Sequence, residues 1–173
     1  MNATTTTRRQ PLVAVTPEGL YCAQGDFHID AWRPVQRTLV THAHGDHARW
    51  GSQQYLGTKP SQGLLRKRLG AEAEITTLDY GERLTIGGVK VSFHPAGHVL
   101  GSAQVAMEWR GSRAVVSGDY KRAPDPTCPP FEPVPCDVFV TEATFALPVR
   151  AVMSSPVRTV SVATPLPDRS FSP

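Results

Sequence analysis

Apolar and polar positions alternate with a period of two through the middle of the chain, and that period predicts strands. Val89, Val91 and Phe93 fall on one face of one such segment, and Val105, Met107 and Trp109 on one face of another. Strands are predicted at residues 12–15, 20–22, 27–29, 39–41, 75–78, 83–86, 89–93, 104–109, 113–117 and 138–141. Gly87-Gly88 and Gly111-Ser112 supply turn chemistry between consecutive strands. One short helix is predicted over 61–69, with Ser61 as N-cap and Gly70 just past its end. Many strands and few helices imply an α+β sandwich with helices packed outside the sheets.

Both ends depart from this pattern. Residues 1–10, MNATTTTRRQ, are polar, lack the apolar stretch of a secretory signal, and are expected to fray. From Arg150 onward valine, serine, threonine, proline and arginine dominate, and glycine, lysine and glutamate are absent. No helical or strand period survives there, so 150–173 is expected to be a disordered tail or the product of a shifted reading frame. The folded part is placed at 11–149, as one domain. Among 173 residues, an apolar content of 40% is slightly low and 16 prolines are many. The net charge of +3 permits a polyanionic partner without requiring one. No apolar run approaches the ~20 residues of a membrane span. Three cysteines imply no disulfide framework, and the cytoplasm is the expected location.

Chemistry concentrates in His42-Ala43-His44-Gly45-Asp46-His47, directly after the apolar run that ends in Thr41. Imidazole nitrogens suit zinc, manganese and iron, and a carboxylate suits the harder end of that range. His42 and His44 are two apart, so an extended backbone points them to the same side. Gly45 allows a sharp turn, after which Asp46 and His47 are presented separately from an expected helix start. One short segment can thus serve two adjacent ions. His98, between Gly97 and Gly101 on a strand-end loop, is the candidate for a third ligand to the first ion. Asp119 ends the apolar strand before it, where loops place functional groups. Asp30, which closes Phe27-His28-Ile29-Asp30, is placed to orient a ligand histidine through its other ring nitrogen. Lys121 and Arg122 could meet phosphates at the rim of the site. His28 and His94 match no ligand spacing, and Cys128 and Cys136 match no zinc pattern.

Together, His42-x-His44-x-Asp46-His47, His98 and Asp119, with Asp30 upstream, resemble the first four motifs of the metallo-β-lactamase superfamily in order and setting. Glu142, in Thr141-Glu142-Ala143-Thr144-Phe145, is similar to the acidic residue that opens the β-CASP region of its nucleic-acid-processing branch. Longer phrases such as HPAGHVLGSAQV and VSGDYKRAPDPTCPPFEPVPCDVFVTEATFALP resemble ligase-associated DNA exonucleases and messenger-RNA 3′-end processing factors. The resemblance implies the N-terminal half of an αββα sandwich. It implies two divalent ions, zinc first with manganese or iron as alternatives. His42, His44 and His98 would hold one ion, and Asp46, His47 and a bridging Asp119 the other. Asp46 would also orient the attacking water, and Glu142 would help to place a general acid.

The function implied is a metal-dependent phosphodiesterase, a DNA exonuclease of the repair type. DNA ends would be the favoured partner and a DNA ligase an associate. Three alternatives stay open: an RNA 3′-end nuclease, a small-molecule metallohydrolase, and a metal-binding remnant without turnover. No histidine follows His98, whereas the family continues into a second half that carries a further histidine ligand. The chain is therefore expected to be truncated and impaired as a nuclease.

Overall fold

The structure is a computed structural model that describes residues 11–141 together with the backbone of Arg158–Ser161. Two six-stranded sheets face each other. The first contains β1 (Ala14–Thr16), β2 (Gly19–Cys22), β3 (Phe27–Ile29), β4 (Arg37–Leu39), β5 (Gln54–Thr58) and β6 (Glu74–Leu78), in that spatial order. Its first three strands are antiparallel, and β3 to β6 run parallel. The second sheet is ordered β12-β11-β10-β9-β8-β7. Its strands are β7 (Arg83–Ile86), β8 (Val89–Pro95), β9 (Ala103–Trp109), β10 (Ser112–Val116), β11 (Val138–Thr141) and β12 (Arg158–Ser161). Strands β7 to β10 are antiparallel and β10 to β12 parallel.

The alternation explains the core between the sheets. Phe27, Ile29, Leu39 and Leu56 from one sheet meet Val89, Val91, Phe93, Val105 and Met107 from the other, all buried. Full burial of side chains this size contributes about 1.5–3 kcal/mol each in removal from water. A second cluster, Val40, Ala48, Tyr55 and Leu65, seats helix α1 (Gln62–Leu69) on the outer side of the first sheet. The strand-rich α+β class is therefore what the chain adopts, with α1 as the one α-helix among the described residues.

Local departures have local causes. The strand expected at 39–41 stops at Leu39, because the backbone N–H of Thr41 donates to the Asp30 side chain at 2.8 Å rather than to a neighbouring strand. Strand β5 lies outside the strands that the period predicts: Tyr55, Leu56, Gly57 and Thr58 are all buried, so no polar face marks it. At Gly57 an added Cβ would lie 2.6 Å from Leu65 Cδ1, so glycine lets α1 pack close. The hairpin between β9 and β10 turns at Arg110-Gly111 instead of Gly111-Ser112, since Trp109 pairs with Ser112. Both turn residues have positive φ, 48° and 75°, as a two-residue primed turn requires.

Ser61 occupies the N-cap position of α1 but makes no side-chain cap bond. A 3-10 turn, Lys59–Ser61, precedes the helix, and Thr58 caps that turn by accepting the Ser61 N–H at 3.3 Å. The expected tail 150–173 and the fraying end 1–10 lie outside the described residues. The exception is Arg158–Ser161, an Arg-Thr-Val-Ser stretch that pairs parallel with β11. No described helix is long and apolar enough to cross a membrane.

Candidate metal centre

Strand polarity gathers the candidate residues at one edge. Asp30 follows β3 and the histidine segment follows β4, and these two strands are parallel. His98 follows β8 and Asp119 follows β10, which run the same way because each is antiparallel to β9. The two sheets are tied at this edge by the Ala103 N–H, which donates to the Thr41 carbonyl at 2.8 Å. At Gly118, φ is 53° and an added Cβ would lie 2.4 Å from Thr41 Oγ1, so only glycine permits the close approach that sets Asp119 over His42.

His42, His44, His98 and Asp119 each offer one ligand atom, and these atoms lie within 4.8 Å of one another. His42 Nε2 is 2.9 Å from His44 Nδ1, and His98 Nε2 is 3.4 Å from the same atom. Asp119 Oδ2 stands 3.7 Å from His42 Nε2 and 3.5 Å from His98 Nε2. The other oxygen, Oδ1, stands 3.8 Å from His47 Nε2, which is also 3.6 Å from Asp46 Oδ2. Asp119 thus lies between two groups of donors. His42 and His47 are buried, whereas the Asp46 side chain is 70% exposed.

Asp30 organises the donors from behind. Its Oδ1 accepts the Thr41 N–H, and its Oδ2 accepts the Thr41 hydroxyl at 2.6 Å and faces His47 Nδ1 at 2.7 Å. A carboxylate only accepts, so His47 carries its proton on Nδ1 and turns the Nε2 lone pair towards Asp46 and Asp119. With its hydrogen committed to Asp30, Thr41 Oγ1 accepts from His42 Nδ1 at 3.2 Å. That aims the His42 Nε2 lone pair into the cluster. Thr41 was not singled out in the sequence; its only signal was its position directly before His42. Asp30 holds φ at 47°, a left-handed conformation that aspartate tolerates better than most residues.

The His98 loop is pinned on three sides. Ser102 Oγ accepts the N–H groups of His98 and Val99, both at 3.1 Å. Added Cβ atoms at Gly97 and Gly101 would lie 2.3 Å from the Lys121 carbonyl and 2.5 Å from the Ser61 backbone, respectively. The helix start expected after Gly45 is a single turn: the Ala48 N–H donates to the His44 carbonyl at 2.8 Å, and no helix continues it. Lys121 Nζ pairs with Asp125 at 3.0 Å, and Arg122 is exposed. Glu142 lies outside the described residues.

The donor set fits a divalent cation. Three imidazole nitrogens and a carboxylate converge, and the network behind them points lone pairs rather than protons inward. Burial pushes the His42 imidazole down to about 2, helped by His47, His44 and His98. His98 is lowered as well, first by burial, with Asp119 opposing. An unfolded histidine titrates near 6.5, so below that pH the unfolded chain binds protons that the folded metal-free chain refuses. The stability from neutral His42 is complete above about pH 6.5 and is lost as pH falls towards the folded value. Chelator-treated protein is expected to lose stability steadily from pH 7 to pH 4, by at most about 1.4 kcal/mol per pH unit for each such histidine. Urea denaturation across that range measures it; a flat profile would mean that His42 is not held neutral.

No family model matches the chain. Curated relatives do. A "Probable DNA ligase" of Opitutus terrae is 33% identical over 133 residues, covering 75% of this chain and 13% of that protein. An "Endoribonuclease YSH1" of Yarrowia lipolytica is 30% identical over 146 residues, covering 62% of this chain and 17% of that protein. "Cleavage and polyadenylation specificity factor 73" of Drosophila melanogaster is 31% identical over 121 residues, covering 63% and 17% respectively. The chain belongs to the β-CASP branch of the metallo-β-lactamase superfamily. It spans 13–17% of the length of these three relatives. Among solved structures, a B3 metallo-β-lactamase with an active site glutamic acid is similar at 18% identity and a TM-score of 0.39, covering 49% of this chain and 41% of that one.

Proposed function

We propose that this edge of the sandwich is the centre of a metal-dependent phosphodiesterase, a nuclease acting on DNA ends. The supporting observation is Asp119, whose two carboxylate oxygens face different donor groups, Oδ2 the His42 and His98 side and Oδ1 the His47 and Asp46 side. A bridging carboxylate between two cation sites has that geometry. His42, His44 and His98 would hold one ion, and Asp46, His47 and Asp119 a second, with zinc first and manganese or iron as alternatives. Two such ions, when bound, neutralise charge building on the attacked phosphodiester and lower the pKa of the water nucleophile.

The chain's own residues orient and exclude. Asp30 and Thr41 fix the ring orientations, and burial of His42 and His47 keeps water from the back of the site. Asp46, exposed beside His47, would orient the attacking water. Lys121 and Arg122 would meet strand phosphates at the rim. Similarity to a stretch within a probable DNA ligase supports DNA ends as substrate and a ligase as associate. Similarity to endoribonuclease relatives favours RNA 3′ ends as the second reading.

End-labelled single-stranded DNA, duplex DNA and RNA, each with added zinc or manganese, test the proposal. Slow release of label, stopped by a chelator, is expected on a DNA substrate. Asp119→Ala is expected to lower it by more than the ~10–100-fold that a merely supporting residue costs. Hydrolysis of a small ester or lactam with no release from DNA or RNA would overturn the nuclease reading in favour of a small-molecule hydrolase.

A further inference from the structure

Beside the donor cluster lies a cleft of about 490 Å³ that the metal chemistry does not use. Trp32 and Arg33 line it from the loop after β3, Arg49 and Trp50 from the loop after β4, and Arg68 from the last turn of α1. Gly45 and Ala48 form part of its wall, so it opens against the backbone that carries His44, Asp46 and His47. Trp50 is 78% exposed, which removal from water would ordinarily oppose for an indole of this size. Gly51, with φ at 101°, brings Trp50 close to the 32–34 segment: an added Cβ there would lie 2.9 Å from Pro34 Cγ.

The arginines carry charge that the protein does not neutralise. Arg49 Nε donates to the Asp46 carbonyl at 3.2 Å, and Arg68 Nε donates to the Ala43 carbonyl at 3.1 Å. Those bonds fix the side chains against the ligand loop yet leave the guanidinium charge uncompensated. Among the described residues no carboxylate pairs with Arg33, Arg49 or Arg68. An exposed indole and a half-buried one, interleaved with unpaired guanidinium groups, match the two features of an unpaired polynucleotide, stacked bases and a phosphate at every step. A duplex would hide the base faces that Trp50 offers to cover.

We infer that this cleft is a platform for an unpaired nucleic-acid strand, holding nucleotides adjacent to the one at the metal centre. Its ligand class rests on the nuclease reading above. Trp50 and Trp32 stack bases, and Arg33, Arg49 and Arg68 take the backbone phosphates. Stacking is tolerant of sequence, so the cleft positions a strand end without selecting bases.

Anisotropy of a fluorescein-labelled 12-nucleotide oligo(dT), with the full chain in chelator to prevent hydrolysis, tests the inference. Trp50→Ala is expected to weaken binding about 10-fold, within the range of one lost stacking contact. Arg33→Ala is expected to flatten the log–log salt dependence by about 0.7, whereas Trp50→Ala leaves that slope unchanged. Zinc content of both variants is expected to equal that of the parent, since neither residue touches the donors. Failure of the parent to bind, or unchanged affinity in both variants, would overturn the platform. Binding that depends on Trp50 and Arg33, with no metal-dependent release of label, would support the platform and overturn the nuclease reading instead.

Discussion

Replacing His42 and His44 together by alanine is expected to abolish binding of divalent metal. His42 Nε2 and His44 Nδ1 stand 2.9 Å apart, and each is within reach of Asp119 or His98. Losing both leaves one imidazole and one carboxylate of the four-residue cluster, and two ligands do not make a closed zinc site. The expected effect is at least about 100–10,000-fold in affinity, the square of the ~10–100-fold that one supporting contact is worth. Metal content after equilibration with zinc and gel filtration measures it. His42 is buried among strand ends, so its removal could also loosen the edge. His98→Ala guards against that ambiguity, because the His98 side chain is 26% exposed on a loop held by Ser102. Unchanged stoichiometry in the double variant, or in folded His98→Ala at limiting zinc, would sink the assignment.

Asp30→Ala carries the second large expected effect, on stability and on metal together. Three donors converge on that carboxylate: the Thr41 N–H, the Thr41 hydroxyl and His47 Nδ1. Stranding buried donors costs about 1–3 kcal/mol each, and alanine also fits the left-handed backbone at Asp30 poorly. A loss of about 3–5 kcal/mol is expected, which is a large part of a small domain's margin. Guanidinium denaturation measures it. Asp30→Asn separates the two roles, because asparagine accepts the left-handed φ and can still take the Thr41 N–H. Its amide nitrogen, however, would face the Thr41 hydroxyl and His47 Nδ1 as a donor. That variant is expected to stay folded and to bind metal about 10–100-fold more weakly. Metal affinity equal to the parent's in Asp30→Asn would show that Asp30 does not set the histidine orientation.

Stability of the fold therefore converges on residues whose roles the linear text announces unequally. The period-two stripes at Val89, Val91, Phe93 and at Val105, Met107 were legible because one face of each strand is buried and side chains alternate. The turn at Gly87-Gly88 was legible because both residues need positive φ, 55° and 85°. Strand β5 was not, because a central parallel strand is covered on both faces and loses its alternation. The shift of the β9–β10 turn onto Arg110 was hidden for another reason. An arginine rarely holds φ at 48°, and here its guanidinium lies over the Trp109 ring at 4.5 Å.

Sequence by itself determined the chemical inventory: which donors exist, that His42, His44, Asp46 and His47 are close by covalent necessity, and that the chain alternates as strands. Tertiary structure decided which distant residues join them. His98 and Asp119 come from the opposite sheet, and they meet His42 because β8 and β10 end at the same edge as β4 and because Gly118 lies against Thr41. It decided that Asp30 works through Thr41 as well as His47, since hydrogen bonds across strand ends have no period in a sequence. It also assembled the cleft of Trp32, Trp50 and Arg68, three residues from three segments. Local patterns report local backbone geometry and burial, whereas a site made of strand ends depends on sheet order and register, which only the packed chain selects.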